Sequence, residues 1–521
     1  MKEISWLKNR GYLHLNSPLN LKDDRKKVES VIKNQKFIAK YAFFPLIHSV
    51  INERRYKLVD SDSGKRAHSF QSKSGEHLKT VKHRPLHYAN HLDAIIFGYY
   101  AEILQIKYEE RLKQTPLLSE CVTAYRRIAI DNSDKNKSTI HFANDAFAEI
   151  KHRESQGCIV LKFDIKSFFS RLNHDKLKSA WSKLIGVQRL PDDHFNVFKA
   201  ATNFSYVLKD DLRLPYAIGK RRSGFDEKKL SDLRKKGIQA FFESPKHFRE
   251  AVKDKQIRIH KHPFRDSDGT PVGIPQGLPI SAVLANLYLL EFDLKIIDEV
   301  VKKFDAFYRR YSDDIIIVCS RGNRKKIENL VYELILESKV EMSTDKTEVF
   351  EFSLQDKGGI ETLVSSKLTG SEKKSGIPFT YLGFEFYGSK TLIKSANLAK
   401  FYRRMIQSVK SKTRRAYQIS LRTPNSPIIV FRQQLYRSYT VYPLESTKIF
   451  EKKKILVKND RGDFFYQSIE KPKKHRSNYM SYVKRASTIM NDQAIKHQMR
   501  NHKKIFNDAI NKQIERVKNR Y

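Results

Sequence analysis

Three aspartates stand at the ends of segments whose composition is typical of buried strands. Asp164 closes the apolar run 159–163, while Asp313 and Asp314 lie at a turn that precedes the β-branched run 315–318. An isolated aspartate at a strand end usually serves a turn or a cap. Two strand ends that face each other could instead supply the roughly three hard oxygen ligands that hold two metal ions about 4 Å apart. The pattern therefore predicts metal-dependent phosphoryl transfer.

A loop shaped by proline and glycine lies between the two acidic segments. It contains Pro275, Gln276 and Gly277 and precedes an apolar helical pattern. Alone, such a junction of loop and helix is common and carries little information. A glycine would let the loop backbone approach a base or a ribose closely. Because the loop lies between the acidic segments, we interpret it as a nucleotide contact.

The charge balance predicts a polyanionic partner. The chain of 521 residues has 100 Lys and Arg against 58 Asp and Glu, a formal net charge of +42. Basic groups that neutralise phosphates release counterions and bind strongly, so nucleic acid fits this balance best. A packing protein of the histone or ribosomal kind is the alternative. The 25 Tyr and 32 Phe argue against it, because they build folded cores and stacking platforms.

No feature of the sequence predicts a membrane or secretory location. No stretch approaches the roughly 18 apolar residues of a spanning helix, and the amino terminus lacks a signal peptide. Cys121, Cys158 and Cys319 are too widely spaced for a zinc ribbon and odd in number for a disulfide framework. We therefore predict a reducing cytoplasm and no membrane partner.

Hydrophobic periodicity and charge suggest how the chain is organised. Residues 1–80 are basic, with a helical pattern from Val28 to Tyr41 and a polar linker at 61–75. Apolar residues from 92 to 112 predict one long helix, and a basic, turn-rich insertion spans 219–237. Beyond residue 390 the pattern is that of basic amphipathic helices.

The order of the motifs resembles that of reverse transcriptases. Phe163-Asp164, Pro275-Gln276-Gly277 and Tyr311-Ser312-Asp313-Asp314 are similar to motifs A, B and C of that family. Asp345-Lys346-Thr347 lies where the family has motif D, and Tyr381-Leu382-Gly383-Phe384 is similar to the primer grip of motif E. Upstream, Ala124-Tyr125-Arg126-Arg127 and Lys137 resemble the fingers motif.

This resemblance implies an α+β right-hand polymerase over residues 81 to about 420, with fingers, a palm built on an antiparallel sheet, and a helical thumb. We accordingly expect an N-terminal extension at 1–80, reverse transcriptase fingers and palm at 81–390, and a basic α-helical thumb and C-terminal region at 391–521.

The resemblance also implies a role for each matched residue. Asp164, Asp313 and Asp314 would be catalytic and would bind two Mg²⁺ ions, for which Mn²⁺ could substitute, and Lys346 would donate a proton to pyrophosphate. Phe169 stands where the family has the aromatic that crowds the ribose 2′ position, which favours dNTPs over NTPs. The other expected substrate contacts are Gln276, Gly277, Arg126, Arg127 and Lys137, and the expected primer grip is Tyr381, Leu382 and Gly383.

Within the family, residues 84–93 and Ala124-Tyr125-Arg126 resemble bacterial defence-associated and abortive-infection enzymes, the "unknown group". The implied function is RNA-directed DNA synthesis from dNTPs on an RNA template, such as a dedicated noncoding RNA, in anti-phage defence. A homo-oligomer or a second defence protein would be a further partner. Template-independent or protein-primed DNA synthesis, and a non-catalytic RNA-binding scaffold, are the alternatives.

Overall fold

The structure is a computed structural model, and it divides the chain into two compact units. The first comprises residues 1–126, 162–317 and 322–347, and the second comprises residues 127–161, 318–321 and 348–521. The structure describes residues 5–54, 57–58, 66–67, 69–71, 75–212, 230–233, 236–356, 358–422, 428–441, 450–458, 464–472 and 477–519. Most of the predicted linker at 61–75 and of the basic insertion at 219–237 lies outside these residues.

Helices and strands alternate irregularly along both units, so the predicted α+β class is confirmed. The strands are β1 (Leu46–Arg54), β2 (Lys57–Leu58), β3 (Arg66–Ala67), β4 (Ser69–Gln71), β5 (His77–Lys79), β6 (Val81–Tyr88), β7 (Cys158–Asp164), β8 (Ser205–Leu208), β9 (His260–Lys261), β10 (Phe307–Tyr311), β11 (Asp314–Cys319), β12 (Glu348–Asp356), β13 (Glu361–Thr369), β14 (Glu372–Ser375), β15 (Phe379–Tyr381), β16 (Phe384–Phe386), β17 (Thr391–Ile393), β18 (Phe450–Lys458) and β19 (Phe464–Pro472).

The α-helices are α1 (Arg25–Lys33), α2 (Gln35–Lys40), α3 (His91–Lys113), α4 (Pro116–Cys121), α5 (Thr139–His152), α6 (Phe168–Arg171), α7 (His174–Ile185), α8 (Asp192–Thr202), α9 (Pro245–Lys253), α10 (Ser281–Tyr288), α11 (Leu290–Ile296), α12 (Lys302–Phe304), α13 (Arg324–Glu337), α14 (Ser395–Ser420), α15 (Arg432–Tyr439), α16 (Tyr479–Ile489), α17 (Ala494–His497) and α18 (His502–Lys518). The long helix predicted from the apolar residues 92–112 is α3.

A four-stranded sheet in the first unit has the order β6-β1-β8-β9. Strand β1 pairs antiparallel with β6 and parallel with β8, so residues of the predicted N-terminal extension build the same sheet as residues after position 80. Ile47 and Val207 of this sheet are buried against Leu15 and Phe248. The apolar residues of β1 come in adjacent pairs, Leu46-Ile47 and the exposed Val50-Ile51, so its sequence carries no alternation that would predict a strand.

The strands that carry the acidic motifs lie side by side in the first unit. Within it, the neighbours of β11 are β10 and the last three residues of β7. Residues 315–319 of β11 are all buried, which explains their β-branched composition. Strands β10 and β11 are joined by Ser312 and Asp313 alone, so they form a tight antiparallel hairpin.

A buried arginine ties this hairpin to the helices behind it. The Arg310 guanidinium donates to both carboxylate oxygens of Asp293, at 2.7 and 2.5 Å, and both side chains are fully buried. It also donates to the carbonyl oxygen of Ser312 at the hairpin turn and to Oδ1 of Asn286 on α10. Burial alone would lower the pKa of Arg310, but the Asp293 carboxylate raises it above its ordinary value.

The second unit contains the sheet neighbours β12, β13 and β14 and a separate antiparallel sheet of β15, β16 and β17. An aromatic cluster holds these elements against helix α5. The rings of Phe147 and Phe386 stack with centroids 4.6 Å apart, and Phe352 also stacks on Phe386, at 5.5 Å. Phe350 and Phe379 complete the cluster edge to face at 5.4 Å.

Beyond residue 390 the second unit is largely helical, as the sequence pattern predicts. Buried side chains of α14, α15 and α18 share one apolar core that includes Met405, Leu435 and Phe506. The hairpin of β18 and β19 was not predicted, because its Lys-rich sequence lacks a strand-like alternation. In the described part of the chain, helices are too short or too polar to cross a lipid bilayer.

The Arg310–Asp293 pair gives a first testable prediction. Replacing Asp293 with asparagine leaves a buried guanidinium without its counter-charge, and we expect unfolding to become easier by about 3–5 kcal/mol. Asp298→Asn is the matched control, because it removes an exposed ion pair with Lys302 and should cost less than about 1 kcal/mol. Denaturant unfolding followed by intrinsic fluorescence measures both. Equal, small changes in the two variants would contradict the structural role of the pair.

Candidate active site

The ends of β7 and β11 bring two of the predicted aspartates together. Asp164 is the last residue of β7, and the next backbone amide, that of Ile165, donates to the carbonyl oxygen of Asp313 at 3.3 Å. Ser312 adopts a left-handed conformation, with φ of 61°, which a side-chain-bearing residue rarely occupies. This turn costs on the order of 1–2 kcal/mol and directs the acids at the hairpin tip.

Asp164 is also held by the segment that carries the motif D residues. Its carbonyl oxygen accepts a hydrogen bond of 2.7 Å from the amide of Ser343, which lies just before the 3-10 turn Thr344–Lys346. From that turn, the Lys346 ammonium donates to the Asp164 carboxylate and forms an ion pair with it. The structure therefore brings Asp164, Asp313 and Lys346, which are distant in sequence, to one place.

The surroundings of the Asp313 carboxylate favour a bound cation. Burial raises the pKa of the Asp313 carboxyl above its ordinary value, and the negative charge of Asp164 raises that pKa further. The Lys82 ammonium on β6 acts in the opposite direction and lowers the pKa. Sequence reasoning missed Lys82, because a lysine on a polar strand has no distinguishing pattern.

The donor set suits a divalent metal ion, since carboxylate oxygens are the ligands that Mg²⁺ and Mn²⁺ accept. A cation would relieve the repulsion that raises the pKa of Asp313. Within the described residues, however, three acidic, His or Cys side chains do not converge closely enough to form a metal site by themselves. Asp314 begins β11 beside Asp313, and the Asp164 carboxylate is paired with Lys346. Substrate phosphates normally complete the coordination of Mg²⁺ in such sites.

The aromatic residue predicted to contact the sugar is anchored to the Pro-Gln-Gly loop. The carbonyl oxygen of Phe169 accepts a hydrogen bond of 2.7 Å from the amide of Ile274. Gly273 has φ of 79°, and a Cβ there would lie 2.5 Å from the carbonyl oxygen of Ser170. Only glycine permits this close approach, which joins the backbone of Phe169 and Ser170 to the loop, and the Phe169 side chain is half-buried.

The loop itself is fastened to β6. The amide of His87 donates to the carbonyl oxygen of Gln276 at 2.8 Å, and a Cβ on Gly277 would lie 2.6 Å from the carbonyl oxygen of His87. Gly277 has φ of 113°, a conformation closed to other residues. On the helical side, the Ser281 hydroxyl donates to the carbonyl oxygen of Pro275 at 2.6 Å. The loop is thus held from both sides.

A group of histidine and aromatic rings supports β6 behind this loop. The ring nitrogens of His48 and His87 lie 3.1 Å apart, and His87 packs edge to face on Phe204 and Tyr206. Burial lowers the pKa of His87 to about 3, so this ring is neutral at physiological pH. Sequence reasoning did not find this support, since isolated histidines give no signal of their neighbours.

Arg126 was expected to contact the nucleotide, but its side chain is bonded within the protein. Its guanidinium donates to both carboxylate oxygens of Glu109 and to the carbonyl oxygens of Ser119 and Val122, and its side chain is only 4% exposed. These bonds fix the carboxyl end of α3 to α4. A direct contact with a nucleotide would require some of them to break.

Arg127 and Lys137 belong to the second unit. They stand at the two ends of a short antiparallel hairpin in which the amide of Lys137 donates to the carbonyl oxygen of Ile128 at 2.7 Å. The Lys137 ammonium lies 3.0 Å from the Asp145 carboxylate, whereas Arg127 is exposed. Their contact with substrate stays a prediction.

The predicted primer grip is a tight turn in the second unit. Leu382 and Gly383 connect β15 to β16, and Tyr381 pairs with Phe384 across the turn. Both turn residues have positive φ, 42° and 94°, as a two-residue hairpin requires. The Tyr381 ring is buried and stacks on Phe379, so it acts as an anchor for the turn.

Comparison with known proteins agrees with this geometry. Residues 224–386 match the family described as reverse transcriptase (RNA-dependent DNA polymerase). The matched range contains the Pro-Gln-Gly loop, the aspartate hairpin, Lys346 and the predicted primer-grip turn, while Asp164 precedes it. No match is found among curated protein sequences.

Solved telomerase structures are among those similar to this chain. Apo telomerase from Candida tropicalis, truncated from the C-terminal domain, is 12% identical, with 61% of this chain and 53% of that chain covered and a TM-score of 0.35. Telomerase from Candida albicans in complex with a fragment of telomeric RNA is 11% identical, with coverage of 74% and 53% and a TM-score of 0.34. The chain spans about half the length of these telomerases.

The family match and the mixed helix and sheet architecture are consistent with a right-hand polymerase fold. Members of this family are nucleotidyltransferases that generally use divalent metal ions. Residues 224–386 are therefore similar to a reverse transcriptase domain, and the acidic hairpin, the Pro-Gln-Gly loop and the predicted primer-grip turn all fall within them.

Proposed function

We propose that the protein is an RNA-directed DNA polymerase that builds DNA from dNTPs by two-metal phosphoryl transfer. The observation that carries the proposal is the junction of β7 and β11, where Asp164 and Asp313 are linked through the Ile165 amide and the pKa of Asp313 is raised. The reverse transcriptase match over residues 224–386 supports the reaction class.

In this proposal Asp164, Asp313 and Asp314 hold two Mg²⁺ ions, for which Mn²⁺ could substitute. Bound divalent ions would lower the pKa of the primer 3′ hydroxyl and neutralise charge on the transferred phosphate. The rigid strand ends supply fixed carboxylate oxygens, which reduces reorganisation during the reaction. Lys346 shields the Asp164 charge before the ions bind and then donates a proton to the departing pyrophosphate.

The loop and its neighbours would select the nucleotide. Phe169 crowds the ribose 2′ position, because its backbone is fixed to the loop through Ile274. The backbone of Gln276 and Gly277 faces the base or sugar. Lys82 is a new candidate for the triphosphate, since it is exposed on β6, the strand to which the loop is fastened through His87. The roles of Arg127 and Lys137 as further triphosphate contacts, and of Tyr381, Leu382 and Gly383 as primer grip, rest on the motif resemblance.

The biological setting is proposed from the same resemblance. An RNA template, such as a dedicated noncoding RNA, and a DNA product would be the nucleic-acid partners, and the net charge of +42 supports such binding. Anti-phage defence follows from the similarity to bacterial abortive-infection enzymes. Template-independent or protein-primed synthesis uses the same chemistry and would differ in its product sequence. A non-catalytic scaffold is disfavoured by the retained acids.

One prediction of this proposal concerns the acids. Asp313→Asn should reduce dNTP incorporation by a factor on the order of 10³ or more, because several kcal/mol of metal-ion stabilisation are lost. Asp298→Asn, an exposed acid on the first unit, should retain incorporation within about twofold. Primer extension on an RNA template with Mg²⁺ measures both variants. Full activity of Asp313→Asn would refute the proposed chemistry.

A second prediction concerns sugar selection. Phe169→Ala removes the ring proposed to crowd the 2′ hydroxyl, so NTP incorporation should rise relative to dNTP incorporation by about tenfold or more. Phe169→Tyr keeps the ring and should keep the preference for dNTPs. The ratio of kcat/KM for dNTP and NTP is the measurement, and an unchanged ratio in Phe169→Ala would exclude Phe169 as the selecting group.

A third prediction separates the two roles of Lys346. Lys346→Met removes a positive charge beside Asp164, so Mn²⁺ should bind more tightly by roughly three- to tenfold, as expected for a Coulomb term of about 1 kcal/mol. The same variant should extend primers more slowly, because the proton donor is gone. Mn²⁺ titration by electron paramagnetic resonance and single-turnover extension measure the two effects. Weaker Mn²⁺ binding would contradict the ion pair with Asp164.

A further inference from the structure

A cavity in the second unit has the character of a nucleotide site. It lies between helices α14, α15 and α16 and has a volume of about 550 Å³. Ligand cavities commonly have volumes of roughly 300–1,000 Å³, a range that fits a nucleotide. The residues that give it its chemistry are Lys400, Arg404, Phe401, Tyr439, Tyr479 and Tyr482.

The aromatic side of the cavity is ordered before any ligand binds. Phe401 is buried and stacks on Tyr479 with centroids 4.2 Å apart and planes 15° from parallel. Tyr482 follows at 5.9 Å from Tyr479, and Tyr439 lies 5.9 Å from Phe401. Rings that are already packed lose little freedom when a flat ligand stacks on them. Such a surface suits a nucleobase, because every base has a flat π face that can stack on an aromatic ring.

The charge around the cavity favours an anion. Helices α14, α15 and α16 together contain 11 Lys and Arg and no Asp or Glu. Lys400 and Arg404 are exposed and one helical turn apart, so both charges lie on the same face of α14. Two cations on one helix face can both bind a phosphate through charge-assisted hydrogen bonds.

A second cavity of about 760 Å³ shares Ser438 with the first. Its lining includes the side-chain amides of Gln433 and Gln434 and the exposed Phe431 ring, whereas the Asn478 amide on its edge is bonded to the backbone of Arg437, Thr440 and Ser481. Amide groups can donate to and accept from base edges or sugar hydroxyls. An extended ligand could thus lie across both cavities, with an aromatic ring at either end.

We propose that these two cavities form a binding site for unpaired nucleotides of a single-stranded nucleic acid. One base stacks on Tyr479 and Tyr482, its phosphates lie against Lys400 and Arg404, and the neighbouring nucleotide contacts the amides of the second cavity. A duplex keeps its bases stacked inside and cannot place one in the cavity. The proposal does not depend on polymerase activity, because it concerns binding alone.

The test uses the full-length protein with a chelator and without nucleotides, so that no DNA synthesis can occur. Fluorescence anisotropy at one fixed salt concentration measures binding of short oligouridylate RNA, oligothymidylate DNA and a duplex of the same length. Tyr482→Leu removes a stacking ring, and Tyr482→Phe is its matched control. Lys400→Ala/Arg404→Ala is compared with Lys410→Ala/Arg414→Ala, which removes the same charge farther along α14, outside the cavity.

The wild-type protein should bind single strands more tightly than the duplex. Preference for either oligouridylate RNA or oligothymidylate DNA supports the site, and the strand that binds more tightly identifies the natural ligand. Tyr482→Leu should weaken single-strand binding by about five- to 150-fold, the value of one base stack, while Tyr482→Phe stays near wild type. Lys400→Ala/Arg404→Ala should weaken single-strand binding more than Lys410→Ala/Arg414→Ala does. Equal loss in both pairs, or no loss in Tyr482→Leu, would overturn the proposal.

A second measurement needs no variant and so does not depend on how well one folds. Oligouridylate that contains 4-thiouridine is crosslinked to the wild-type protein by light, and the attached peptides are identified by mass spectrometry. Crosslinks to the peptide that holds Tyr479 and Tyr482 are expected. Crosslinks confined to other regions would overturn the site.

Discussion

A single buried cation fixes the geometry on which the catalytic proposal rests. Arg310 has no exposed side-chain surface, yet it carries a charge, which Asp293 neutralises at close range. The cost of burying both charges is large, and the hydrogen bonds to Asn286 and to the Ser312 carbonyl oxygen help to offset it. In return, the turn that presents Asp313 is tied to α10 and α11, the helices that follow the Pro-Gln-Gly loop.

The loop and the acidic hairpin are consequently parts of one framework. Asn286 bonds to Arg310 and also to the carbonyl oxygen of Ala124, while Ser281, earlier on the same helix, holds the carbonyl oxygen of Pro275. On its other side, the loop is bound by His87, whose ring stays neutral because burial lowers its pKa to about 3. Preorganised support of this kind is what electrostatic catalysis requires, because groups that do not move need no reorganisation.

Much of the site follows from the sequence for physical reasons. The sequence reveals the strand that ends in Asp164 and the hairpin with Asp313 at its tip. Burial selects apolar and β-branched residues beside both aspartates. Gly277 is recognisable because its conformation excludes every other residue. The sequence does not reveal that Arg310 is buried or that Arg126 is bonded within the protein, since polar residues near a motif have the same pattern whether they face solvent or an internal carboxylate. Strand β1 was missed because its pairing partners lie far away in the sequence.

Copying of RNA into DNA at Asp164 and Asp313 can be observed with the nucleic acid that the protein itself carries. The protein is purified with its bound nucleic acid and supplied with Mg²⁺ and labelled dNTPs or NTPs, and the products are sequenced beside the bound RNA. We expect DNA that forms only from dNTPs, disappears after prior ribonuclease treatment, and is complementary to the bound RNA. DNA of unrelated sequence that survives ribonuclease treatment, or synthesis from NTPs alone, would contradict this expectation.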